Sequence, residues 1–383
     1  MSGKDARERA RGAMSTERDG LHFGGAQRAE QGEGGFAVHS PLWMVTQEPA
    51  LHGFVEYLAN SRDRLQAEPG GPHRLSFARA ALAEVRQAFD RMVRLGERRL
   101  HRLSSLLCEH YLRGRYELES VVVAEVDATR ERLVLSQVIS SADLDLFTDL
   151  DLGNRQVEKL RWWDGKEFRR ARLVANFLEY QPFATRPHGI VKVTSRIKAE
   201  EEIWNKVVDE LFDLDALVKR DKKLRKLSKY VKDVFGIKVV ADTRGRVEAV
   251  QRQLVELEFQ DGLLAEVGID PGPETKRLQV LEVKDYLGSG EQKKSGWSAV
   301  KSVVRWRGQI FEIQVQALGN YLRERERLTR ESHSGFKARR EALRDEVARA
   351  VPLFGFYRDL LQWLFGSREQ PPRLAGVDIE LRD

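Results

Sequence analysis

Apolar residues recur at helical spacing through residues 80–115, where Leu82, Val85, Phe89, Met92 and Leu95 form one stripe and arginines fill the other faces. That pattern predicts a long helix with a solvated cationic surface. The period then changes. Within residues 117–140, V-V-V-A-E-V and R-L-V-L-S-Q-V-I read as two strands around the turn-prone Asp127, Ala128 and Thr129. Residues 140–152 carry Asp143, Asp145, Asp149 and Asp151 in quick succession. They lack the spaced ligands and glycine of an EF-hand, so an acidic surface loop is expected rather than a calcium site.

Helical spacing returns over residues 199–217 with Ile203, Val207, Leu211 and Leu214. Residues 219–232, K-R-D-K-K-L-R-K-L-S-K-Y-V-K, are the most basic run and read as an amphipathic helix with a cationic outer face. Strands are expected over 233–242, 278–287, 297–306 and 309–317, with a helical crossover over 244–258. This alternation predicts an α+β fold, a mixed sheet with flanking helices. In 309–317, Phe311, Ile313 and Val315 point one way, while Ile310, Glu312, Gln314 and Gln316 point the other. The polar face is either wet or lines a cleft in which Glu312 can bind Mg²⁺.

Length and charge refine this outline. A chain of 383 residues is long for one core, so two domains are the natural expectation. Residues 1–40, rich in Gly, Arg, Glu and Ser, are expected to be disordered. Residues 41–160 are read as a separate, mostly helical N-terminal region with a β-hairpin, and residues 161–344 as the part carrying the chemistry. Residues 345–383 contain the apolar run P-L-F-G-F-Y-R-D-L-L-Q-W-L-F, expected to dock on its own protein or on a symmetric copy. The balance of 65 basic and 59 acidic residues permits a nucleic-acid partner without implying one. The single cysteine, Cys108, excludes an intrachain disulfide framework and a multi-cysteine zinc site. No apolar run approaches the roughly 18 residues of a membrane span, and a cytoplasmic location is expected.

Candidate chemistry concentrates in residues 291–314. Lys293, Lys294 and Lys301 offer cations, Trp297 a π-face and Glu312 a carboxylate, a set suited to a nucleotide and its phosphates. Arg196 and Lys198 precede the helical pattern at 199, where backbone N–H groups also favour phosphate. Asp233 sits at the mouth of an expected strand, a place for a metal ligand.

Taken in order, S-R-I-K (195–198), D-V-F-G-I-K-V-V (233–240), D-Y-L (285–287), S-G-W (295–297), E-I-Q-V-Q (312–316) and S-H-S-G-F-K (332–337) resemble the RelA/SpoT alarmone synthetase domain. The resemblance spans about residues 190–344. It implies a nucleotidyltransferase-type fold and transfer of pyrophosphate from ATP to the 3′-hydroxyl of GDP or GTP, making (p)ppGpp. It also implies that Arg196 and Lys198 hold ATP phosphates and that Asp233 and Glu312 ligate Mg²⁺. Trp297 would stack on the acceptor base, with Lys293, Lys301 and Gln314 on the acceptor side and His333 and Lys337 near the donor. Trp297 stands where the family usually has tyrosine, Lys301 replaces a histidine, and Ser295 stands where asparagine is common. The His-Asp dipeptide of the family's hydrolase domain is absent. Two other readings stay open: a toxin-type enzyme acting on the tRNA 3′ end or on adenine nucleotides, and an inactive descendant that binds nucleotide or RNA. A homo-oligomer or an antitoxin partner, through the N-terminal region or the C-terminal helix, also stays open.

Overall fold

The structure, a computed structural model, describes residues 48–114, 116–126, 129, 131–163, 165–183, 187–197, 200–212, 234–287, 297–330, 342, 344–366 and 368–383. The expectations for residues 1–40 and for the basic run 219–232 lie outside these.

Helix α1 (Pro49–Ala67) opens with proline in its first turn, where the missing N–H is no loss. A short strand, β1 (His73–Ala78), leads straight into α2 (Arg79–Leu112), the helix expected over 80–115. Val85, Phe89 and Met92 of its stripe are buried, whereas Leu95 is exposed. Strands β2 (Tyr116–Val126) and β3 (Arg132–Val138) form the expected antiparallel hairpin.

The acidic stretch 140–152 is not a loop. It forms α3 (Ser141–Leu146) and the start of α4 (Asp149–Lys159), each opened by a capping box. The Asp143 and Asp151 carboxylates accept from the backbone N–H of Ser140 (2.7 Å) and Thr148 (3.1 Å), and the two hydroxyls accept in return. Two of the four aspartates are therefore helix starters, satisfying N–H groups that would otherwise lack partners. Asp149 turns inward and is buried against Glu97 and His101 of α2. Burial, with Asp149 close by, pushes the Glu97 carboxyl up to about 7.

The chain continues through β4 (Trp162–Trp163) and β5 (Phe168–Arg169), a small hairpin, to β6 (Ala171–Pro182), β7 (Ile190–Ile197) and α5 (Glu200–Leu211). Then come β8 (Phe235–Ala241), α6 (Arg244–Glu256), α7 (Asp261–Glu266) and α8 (Pro273–Lys276). Strands β9 (Gln279–Asp285), β10 (Val300–Trp306) and β11 (Gln309–Ala317) run into α9 (Leu318–Arg330). Helix α10 (Pro352–Phe365) and β12 (Val377–Arg382) follow.

Eight strands form one mixed sheet in the order β3-β2-β6-β7-β8-β11-β10-β9, antiparallel throughout except for the parallel pair β8 and β11. The hairpin expected in a separate N-terminal region is instead the edge of this sheet. Strand β2 pairs with β6 from Tyr116↔Pro182 to Val126↔Ala171. The reason is its apolar run: Val121, Val122, Val123 and Ala124 are buried on both faces, which a lone hairpin could not achieve. Helices α2, α4 and α6 cover one face of the sheet, and α9 lies over part of the other.

The apolar run 352–365 docks on its own protein, as α10. Phe354, Phe356, Tyr357, Leu360, Leu361 and Leu364 are buried. Trp204 of α5 is stacked between Phe89 of α2 (4.9 Å between centroids) and Phe365 (4.5 Å). Beyond α10, β12 pairs in parallel with β1, from His73↔Val377 to Ala78↔Arg382. Among the described residues, no helix is long and apolar enough to cross a membrane.

Candidate functional site

The parallel pair at the centre of the sheet sets up the site. On β7, β8 and β11, Arg196 stands opposite Gly236, and Gly236 opposite Glu312. In the next row Thr194 faces Lys238, Lys238 faces Gln314, and Gln314 faces Lys301 of β10. Residues two apart on a strand share a face, so both rows project to the same side. Gly236 leaves the first row open at its middle. A Cβ built there would come no closer than 3.8 Å to any neighbouring heavy atom, the nearest being Arg196 Cγ.

This face is roofed by α9. Arg196, Gly236, Lys238, Glu312 and Gln314 line a cleft closed on its far side by Tyr321, Glu324 and Arg325 of the helix. The polar face of residues 309–317 therefore lines a cleft and is not wet: Glu312 is only 2% exposed. A carboxylate this deep needs partners. Gln314 Nε2 donates to Glu312 Oε1 at 2.5 Å, and the Lys301 ammonium forms an ion pair with Oε2.

A second, half-buried carboxylate faces it from the roof. Glu324 Oε1 accepts from Lys238 Nζ at 2.6 Å, and Oε2 from Gln316 Nε2 at 3.2 Å. Burial alone would raise the Glu324 carboxyl. Lys238, through its charge and hydrogen bond, together with Arg196, outweighs burial and holds it below its ordinary value. Further along, Glu179 of β6 gathers Lys192 Nζ (2.5 Å), the Tyr321 hydroxyl (2.7 Å) and Arg325 (3.5 Å). Burial and then the Glu179 charge push the Tyr321 phenol far up, so it acts as a hydrogen-bond donor and not as an anion. Arg325 also lies 4.0 Å over the Phe177 ring.

Four of the expected site residues meet here: Arg196, Glu312, Gln314 and, through Glu312, Lys301. Trp297 is half-buried just before β10 and sits edge-on to Tyr286, with centroids 5.3 Å apart. It is not among the residues lining the cleft. Lys198, Asp233, Lys293, His333 and Lys337 lie outside the described residues. Arg196 stands on strand β7, four residues before the first residue of α5, and not in the helix's first turn.

Sequence reasoning missed the roof. Lys238 was within reach, because it alternates with Gly236 in F-G-I-K and so shares its face. Tyr321, Glu324 and Arg325 are spaced by three and four on one helix, the signature of a common face. Glu179 had no comparable signal, since its partners come from two other elements, β7 and α9. Chemically, the cleft offers cations to an anionic ligand, a buried carboxylate to a cation, and open floor between them.

The described fold and cleft thus define a mixed α+β protein with a charged cleft on the open face of its sheet. No family model and no curated protein matches the chain. Among solved structures it is similar to the small alarmone synthetase 1 from Bacillus subtilis bound to its product pppGpp. That match has 16% identity and a TM-score of 0.23, covering 44% of this chain and 76% of the other. It is similar also to a GTP pyrophosphokinase family protein from Streptococcus pneumoniae, at 18% identity and a TM-score of 0.21, covering 44% and 81%. These neighbours fall in the family that the sequence motifs resemble. At such scores they carry no argument about activity, which has to come from the residues themselves.

Proposed function

We propose that this chain is an ATP-dependent pyrophosphokinase with a nucleotidyltransferase-like sheet, transferring the β,γ-diphosphate of ATP to the 3′-hydroxyl of GDP or GTP. In that reaction the 3′-oxygen bonds to the β-phosphorus, the bond to the α-phosphate oxygen breaks, and AMP leaves. One observation carries the reading: the register row Arg196–Gly236–Glu312, a cation and a buried carboxylate on one cleft face with no side chain between them.

Glu312 suits Mg²⁺, because it presents a hard oxygen donor beside the open floor over Gly236. Asp233, three positions before Gly236, is the proposed second ligand. When bound, Mg²⁺ would neutralise charge on the transferring phosphates. The chain's own residues do the rest. Arg196 and Lys198 take phosphate oxygens, and a planar guanidinium suits two of them at once. Lys301 is held at the cleft by Glu312, ready to turn to an incoming phosphate. Lys238 is anchored by Glu324, which keeps a fixed positive charge in the floor. Catalysis of this kind is mainly positioning and charge stabilisation, and it needs no covalent intermediate on the protein. Trp297, backed by Tyr286, offers an aromatic plane for the acceptor base.

The test incubates the chain with γ-³²P-ATP, Mg²⁺ and, separately, GDP, GTP, ADP, ATP or bulk tRNA. Label on GDP or GTP supports the proposal. Label on tRNA or an adenine nucleotide keeps the transfer chemistry and replaces the acceptor. ATP binding without transfer to any acceptor overturns the enzymatic reading.

A further inference from the structure

On the opposite face of the sheet from the cleft, α2 and α4 bring three metal-capable side chains together. Glu97 and His101 are four residues apart on α2 and so share one face of it. Asp149 meets them from the first turn of α4. One ligand atom from each lies within 4.8 Å of the other two, and this is the group of three such residues found among the described residues. All three are buried, with exposures of 6%, 7% and 4%. His101 Nε2 stands 2.9 Å from Asp149 Oδ1, and the Asp149 backbone N–H donates to Glu97 Oε1 at 2.7 Å. Asp149 Oδ2 is buried and has no hydrogen-bond partner.

We infer that Glu97, His101 and Asp149 form a site for a divalent transition-metal ion, distinct from the Mg²⁺ proposed at Glu312, that pins α4 to α2. Three arguments converge. Charge comes first: with both carboxylates ionised, the cluster keeps at least one uncompensated negative charge even when His101 is protonated, which a divalent cation would balance. The groups facing the cluster deepen that deficit. Asp145 of α3 acts on His101 and Asp151 of α4 acts on Glu97, while Arg94 and Arg155 answer Asp151. The unpartnered oxygen comes second. The Asp149 backbone N–H already occupies Glu97 Oε1 and His101 Nε2 already occupies Asp149 Oδ1, yet Asp149 Oδ2 remains a buried acceptor with nothing to accept from, and a cation would satisfy it. Donor type comes third. Imidazole with carboxylates suits Zn²⁺ or Mn²⁺ better than Mg²⁺. Metal–donor bonds of about 2.0–2.2 Å put donors roughly 3.3 Å apart, so the cluster needs only a modest contraction around the ion. His101 would give up its Nε2 proton on binding.

The experiment uses the full chain. Metal content is measured after purification without chelator or metal-affinity resin. The chain is then stripped with EDTA and reloaded with Zn²⁺ or Co²⁺, and thermal melting and the visible Co²⁺ spectrum are recorded. The expected result is stoichiometric divalent metal, a melting temperature that falls on stripping and returns with Zn²⁺, and Co²⁺ d–d absorption without a thiolate charge-transfer band. His101→Gln and Asp149→Asn should each abolish that absorption. Should either variant fail to fold, the spectrum of the unaltered chain decides, because a thiolate band would move the ion to Cys108. A chain that takes up no stoichiometric ion overturns the inference, as does an unchanged spectrum in both variants.

Discussion

Arg196 and Glu312 stand in one transverse row of the sheet, with only Gly236 of the intervening strand between them. The backbone of Gly236 has negative φ, so a larger residue there is not strained. It would fill the floor instead. Gly236→Val is expected to leave the melting temperature close to that of the unaltered chain and to weaken ATP binding at least tenfold. Calorimetric titration with ATP beside a thermal melt checks both. Unchanged ATP affinity would show that the open floor is not where the nucleotide sits.

Glu312→Gln keeps the shape of the side chain and removes its charge. Loss of a transition-state stabiliser of this type costs about 3–4 kcal/mol, so transfer should fall roughly 10²–10³-fold. The change also leaves Lys301 without its anion, which destabilises the fold by itself. The double variant Lys301→Met, Glu312→Gln should recover part of the stability and none of the activity. Assay and urea denaturation of both variants separate the two effects. Full transfer activity in the single variant would remove Glu312 from the reaction.

Phe235 of β8 rests its ring on the backbone of α2 at Gly96, where a Cβ would lie 2.1 Å from a ring carbon. Gly96→Ala should therefore destabilise the protein by about 1–3 kcal/mol, despite the better helix propensity of alanine. Gly53, in α1, has no neighbour within 4 Å of its built Cβ. Gly53→Ala should instead stabilise by about 0.5–1 kcal/mol. Urea midpoints of the two variants give opposite signs if the close approach of α2 to the sheet is as described.

Acid stability has a direction that can be worked out from Glu324. Its carboxyl is held below its ordinary value in the fold, although burial works against that, because Lys238 and Arg196 favour its charged form. A depressed folded value adds stability that is fully present above the unfolded value and is lost as pH falls through the folded one. Stability should therefore decline as pH falls below the ordinary glutamate range. In Glu324→Gln that acid limb should flatten, with lower stability at neutral pH. Chemical denaturation at stepped pH measures it, and an acid limb of unchanged steepness would mean that other carboxylates dominate.

How much of this was legible depended on the range of the contacts. Strand β11 was readable because its two faces differ within nine residues, and α2 because its stripe repeats over several turns. The capping boxes were readable in principle, as Ser140-x-x-Asp143 and Thr148-x-x-Asp151, yet the density of aspartates masked them as a loop. The Glu97–His101 spacing is local, but Asp149 arrives from 48 residues beyond His101 and no sequence pattern announces it. In the same way, the apolar run of β2 signalled a buried strand but not its partner, because pairing with β6 is decided by register and not by composition. The roof of the cleft was hidden because Glu324 matters only once Lys238 is folded beneath it.

The clasp between β1 and β12 has a consequence for synthesis. Ser76 Oγ donates to Glu380 Oε2 across 304 residues of chain, and the Tyr357 hydroxyl donates to the Leu58 carbonyl across 299. A ribosome making this protein therefore delivers α1 and β1 about 300 residues before their partners. Until α10 and β12 emerge, Phe54 lacks the Phe365 ring that packs against it, and the edge of β1 lacks its strand. Over the interval between them, α1 and β1 expose apolar surface that only the later segment covers, a state prone to non-native association.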